Sequence, residues 1–121
     1  MPEEYTELVA ALKALTQGEG AEQIRLPMAE NEWNTRPDDV SYGTVRMDFE
    51  VDALHGDDVK QVTAYEGSID LFSMVKGGAG WIELIKQTLT EHCGGSWSLN
   101  SFQYERDTGL FHWEWVFQVE D

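Results

Sequence analysis

His112 and Glu114 stand two residues apart in a segment that alternates apolar and polar side chains, so both project from one face of a strand. An imidazole and a carboxylate in that relation can share a metal ion or act as an acid–base pair. The sequence supplies no third ligand at a recognisable spacing. His92 and Cys93 are adjacent, which prevents both from reaching one ion from a regular helix end, and no CxxC, HxH or HExxH pattern occurs. Cys93 falls near the C-terminus of an expected helix, where the helix dipole disfavours a thiolate, and no GxSxG motif offers a serine nucleophile. The glycine-rich stretch Lys76–Gly80 precedes a helix as a phosphate loop would, but it lacks both the closing Lys-Ser/Thr and the GxGxxG spacing. Acidic pairs such as Asp38-Asp39 and Asp57-Asp58 are expected by coincidence among 23 acids. These residues therefore define no catalytic residue, no metal site and no cofactor site. The solvated outer face of a hairpin accounts for His112 and Glu114.

The elements that position these residues follow from periodicity. Phe111, Trp113, Trp115, Phe117 and Val119 point one way; His112, Glu114, Val116 and Gln118 point the other. The turn Asp107-Thr108-Gly109 joins this strand to one over Trp97–Tyr104, which makes a C-terminal hairpin with an aromatic face that must be covered. Helical spacing of Tyr5, Leu8, Val9, Leu12 and Leu15 predicts a helix over Pro2–Gln17. A second helix, Gly80–His92, has a stripe of Trp81, Leu84, Ile85, Thr88 and Leu89 and stops at Gly94-Gly95. Ile24, Leu26 and Met28 alternate as one short strand. Tyr42–Leu54 is a clear strand, with Val45, Met47, Phe49, Val51 and Ala53 on its apolar side and Thr44, Arg46, Asp48, Glu50 and Asp52 on the other. After a turn at His55–Asp58, a further strand lies within Val59–Met74, with Gly67 marking a bulge or bend.

The predicted order is α-β-β-β-α-β-β. The expected class is α+β: an antiparallel or mixed sheet of four to five strands with two helices on one face, in a single domain over residues 1–121. Pro27–Ser41 is an irregular loop that carries Trp33 and Arg36. Trp33 is expected to pack on the edge of the core.

A net charge of -15 argues against nucleic-acid binding and against docking on anionic lipid. The single cysteine excludes an internal disulfide and suggests a reducing, intracellular setting. Glu3, Glu4 and Glu7 stand where a signal peptide would have a basic and then an apolar run, and no stretch reaches membrane-spanning length.

The last residues, YERDTGLFHWEWVFQVED (Tyr104–Asp121), together with the order of elements, resemble the tail-terminator, or tail-completion, proteins of long-tailed bacteriophages and prophages. In that family an ETGLY or ETGLF turn leads into an alternating final strand; here it stands as Arg106-Asp107-Thr108-Gly109-Leu110-Phe111. The loop Ala29–Asp39 and the Gly77–Gly80 approach to the second helix depart from the general pattern. The resemblance implies a structural protein with no enzymatic activity. It implies assembly in the host cytoplasm and residence in the virion tail, as a homo-oligomeric ring that caps the tail tube and meets neck proteins. The free protein can be monomeric if the tube templates the ring. DNA would pass through without being held, which suits an acidic lumen. Another head–tail joining protein and a small acidic intracellular binding module are the alternative readings. The residues assigned to protein contact are Trp33, Arg36, His112 and Glu114.

Overall fold

The computed structural model describes residues 2–55 and 59–120, with side chains described outside 51–63. Helix α1 (Glu3–Lys13) is followed by short strands β1 (Thr16–Gln17), β2 (Ile24–Arg25) and β3 (Met28–Glu30). Long strands β4 (Ser41–His55) and β5 (Val59–Ser73), helix α2 (Trp81–Cys93) and the hairpin β6 (Trp97–Glu105) and β7 (Leu110–Glu120) complete the chain. The main sheet is five-stranded, in the order β3-β4-β5-β7-β6. Only β3 runs parallel to its neighbour. The fold is α+β, as the sequence predicts. A two-stranded β1–β2 ribbon is added to it.

Both helices cover one face of the sheet. Tyr5, Leu8, Leu12, Trp81, Ile85 and Leu89 form one buried cluster with Val45, Ile69, Leu71, Trp113, Trp115, Phe117 and Val119. The Tyr5 ring stacks on Phe117 at 6.4 Å, and its hydroxyl donates to Glu30 at 3.0 Å, tying α1 to β3. Burial, then the Glu30 hydrogen bond and charge, push the Tyr5 pKa well above the usual phenol value.

Four local expectations are corrected. Helix α1 stops at Lys13 rather than at Gln17, because the next residues enter strand pairing: Thr16 faces Arg25, and the Leu15 carbonyl accepts the Leu26 amide at 3.2 Å. The short strand through Ile24, Leu26 and Met28 is two strands, separated at Pro27, which has no amide to donate to a ladder. Leu26 and Met28 are buried but Ile24 is 57% exposed. In β4 the register slips at Asp48: Met47 faces Gly67 and Phe49 faces Glu66. This bulge turns Phe49 away from the helices and leaves it 50% exposed. The bulge expected at Gly67 therefore lies across the ladder, in β4. The expected sides of Val51, Asp52 and Ala53, and the turn at residues 56–58, lie outside the described residues.

The Gly77–Gly80 stretch has a conformational role. Gly78, Ala79 and Gly80 all adopt positive φ (76°, 55° and 86°), a sequence of turns that glycine tolerates best. The Gln17 amide donates to the Ala79 carbonyl at 3.0 Å and holds this approach to α2 against the β1 ribbon.

Candidate functional site

On the face of the sheet away from the helices, alternate residues of β4, β5 and β7 line up across the ladder. Tyr42, Phe72 and His112 form one row, and Thr44, Asp70 and Glu114 form the next. The first row is aromatic throughout. Tyr42 stacks on Phe72 at 5.1 Å and Phe72 on His112 at 4.2 Å, while Trp33 meets Tyr42 edge-on at 6.4 Å. The irregular segment after β3 supplies Trp33, whose indole N–H donates to the Gly43 carbonyl at 3.0 Å.

The second row sets two carboxylates, Asp70 and Glu114, directly opposite each other, an arrangement that costs stability unless a cation separates them. Arg46 is that cation. Its Nη1 donates to Asp70 Oδ2 at 2.6 Å, its Nη2 to Glu114 Oε2 at 3.1 Å and its Nε to Asp48 Oδ1 at 2.8 Å. The remaining carboxylate oxygens are also taken. Asn100 donates to Glu114 Oε1 at 2.6 Å and Ser68 to Asp48 Oδ2 at 2.8 Å, while Thr44 shares Asp70 Oδ2 with Arg46 at 3.2 Å. His112 Nε2 lies 2.7 Å from Asp70 Oδ1, and its Nδ1 lies 3.2 Å from Glu105 Oε2.

Burial works against a charged His112, but the hydrogen bonds and charges of Asp70 and then Glu105 outweigh it, so its pKa stands above the usual imidazole value. Burial likewise opposes an ionised Asp70, and His112 with Arg46 reverses that, so its pKa is lowered. The signs define a window. Stability from the raised histidine is complete below its unfolded value of 6.5 and is lost as pH rises through the folded value. Stability from the lowered aspartate is complete above 3.8 and is lost as pH falls through its folded value. The pair therefore contributes most between those limits. Urea midpoints of the wild type are expected to fall as pH is raised from 6.5 through the folded pKa, while His112→Gln removes that part of the slope. An unchanged slope in the variant would show that His112 is not its source.

Trp33, Arg36, His112 and Glu114, the residues singled out in the sequence, all line one shallow, open concavity of about 460 Å³. Arg36 bears on the Tyr42 hydroxyl there; burial still leaves the Tyr42 pKa raised. Sequence reading missed Tyr42, Arg46, Asp70 and Phe72, which share the wall and floor. A signal was present for two of them. Asp70 is an acid inside the apolar run Ile69–Phe72, and Arg46 is the only Lys or Arg in the β4 sequence. Val116 and Gln118, on the same face, are not among the lining residues.

The ionisable groups on the floor of the concavity are held in hydrogen bonds and ion pairs with their neighbours. The His112 imidazole is bonded to Asp70, Glu114 to Arg46, and the Thr44 hydroxyl donates to Asp70. Among the described residues, no group of three or more His, Cys, Asp or Glu is placed to hold a metal ion. Cys93 does not line the concavity; burial, with Glu4 adding to it, pushes its thiol up to about 12, which makes it a poor nucleophile at neutral pH. No protein-family model matches the chain, and no curated protein is significantly similar to it. Among the described residues, no helix is long and apolar enough to cross a membrane.

Proposed function

We propose that the protein is a structural component of a long-tailed phage, of the tail-terminator type, that works by protein–protein contact and catalyses no reaction. The observation that carries this reading is the concavity. Trp33, Tyr42 and Phe72 wall it with aromatic surface, Arg36 stands at its margin, and the ionisable groups of its floor neutralise one another. Tryptophan, tyrosine and arginine are the side chains that dominate contact energies between proteins. A pre-paired floor lets a partner dock without leaving a buried charge unmatched. In a ring, this face would receive a neighbouring subunit or a tube or neck protein. The net charge of -15 supports a lumen through which DNA slides without being held.

The test is genetic and morphological. Deleting the gene from its phage is expected to give tails of uncontrolled length, or heads and tails that fail to join. A complementing copy carrying Trp33→Ala and Arg36→Ala is expected to fold and yet fail to restore virions. Normal virions from the deletion would overturn the reading. Full rescue by the double variant would remove the concavity from the contact.

A further inference from the structure

The helices cover β7 but leave β6 open. Trp113, Trp115 and Phe117 are buried, whereas Leu99 is 51%, Phe102 48% and Tyr104 53% exposed. These three lie on the helix side of the sheet, opposite Trp115, Trp113 and Phe111 in the ladder, because the register slips by one residue between Leu99 and Ser101. Without that bulge, Phe102 and Tyr104 would turn to the polar face. Strand β6 is also the last in the sheet order, so among the described residues its backbone has no strand neighbour along one side.

Open edges are ordinarily protected by charges, prolines or a covering strand. The opposite edge of this sheet shows such protection. Strand β3 covers Gly43–Val45, and beyond it β4 carries the Asp48 bulge with Arg46, Asp48 and Glu50. Strand β6 has its own bulge at Asn100, but from Trp97 to Tyr104 it carries no charge or proline, and among the described residues no strand covers it. The run His92–Tyr104 is the longest in the chain without Asp, Glu, Lys or Arg.

We infer that β6 pairs antiparallel with β6 of a second copy, around a twofold axis, to make one continuous sheet across two chains. Charge permits this occupant here and at no acidic surface of the chain. Two copies at -15 each repel one another wherever acids face acids, and β6 is the strip where they can approach without that cost. A basic partner would be drawn to the acidic surfaces instead. Edge asymmetry selects the symmetry. The protected β4 edge disfavours a head-to-tail joint, whereas a twofold joint uses the unprotected edge twice. It also brings Leu99, Phe102 and Tyr104 of both chains to the same side, where cross-strand aromatic pairs stabilise the contact. This contact is separate from the concavity and does not rest on the phage reading.

Sedimentation of the purified chain is expected to show a monomer–dimer equilibrium below about 1 mM. Hydrogen exchange at the outward amides of β6 is expected to slow as concentration rises. Ser101→Lys with Gln103→Lys, both exposed positions on the polar side of β6, places like charges across the joint and is expected to weaken the dimer by about tenfold or more, with circular dichroism unchanged. A monomer up to about 1 mM would overturn the inference, and so would a dimer that gives β6 amides no added protection. A folded lysine variant that dimerises as well as the wild type would also overturn it. If that variant failed to fold, the exchange measurement on the wild type decides.

Discussion

Replacing Arg46 with methionine is expected to destabilise the protein by about 2–4 kcal/mol, measured as a shift in the urea midpoint at unchanged slope. Methionine keeps the apolar stem and removes the charge. Asp70, whose side chain is 5% exposed, then faces Glu114 across the ladder with no cation between them. Breaking a buried pair by removing one partner costs about 3–5 kcal/mol, and the range here is set lower because Arg46 itself is 37% exposed and water screens part of the loss. His112 remains to balance Asp70, and raising the pH above its folded pKa should enlarge the loss. Adding Asp70→Asn and Glu114→Gln to the methionine variant is expected to recover most of the stability, because the uncompensated carboxylates are then gone. If Arg46→Met alone leaves the midpoint unmoved, the network is solvated decoration and does not hold the face together.

Gly67→Ala is expected to cost about 3 kcal/mol, although it adds only a methyl group and alanine suits a strand better than glycine does. A Cβ at this position would clash with the Arg46 carbonyl oxygen and stand 2.6 Å from Phe117 Cζ. Neither can yield cheaply. The carbonyl belongs to the β4–β5 ladder just before the Asp48 bulge, and Phe117 is buried beneath α1, where it stacks on Tyr5. Calorimetry reads the effect as a fall in melting temperature of roughly 4 °C per kcal/mol for a chain of this size. Gly95→Ala serves as the control, since a Cβ there meets nothing within 4 Å. Equal melting temperatures for the two variants would mean that Gly67 is not a site of close approach.

The elements were largely legible from spacing. The α2 stripe Trp81, Ile85, Thr88 and Leu89 is buried as its helical period requires, and β7 buries Trp113, Trp115, Phe117 and Val119 in strict alternation. The closing turn has Gly109 at φ 73°, as its position predicted. Where a bulge intervened, the alternation misled. Phe49 follows the apolar side of β4 in sequence yet projects from the other face, because the unpaired Asp48 shifts it by one. In β6 the same device left a trace: apolar residues at 97, 99, 102 and 104 break their period of two at Asn100.

The candidate site divides along the same line. That His112 and Glu114 share a face is a property of one strand and follows from its period alone. That Arg46 separates Asp70 from Glu114, and that Phe72 stacks on His112, depends on which strands are neighbours and in what register, and residues in β4, β5 and β7 are brought together only by sheet order. Trp33 and Arg36 were visible as the notable residues of an irregular loop, but their meeting with Tyr42 required β3 to lie along β4 and carry that loop over the ladder. The amino-acid sequence by itself determined the two helices, the long strands and their apolar faces up to each bulge, since side-chain periodicity is local. The tertiary structure alone decided which charges pair and which edge stays open, since both depend on contacts between residues far apart in the chain.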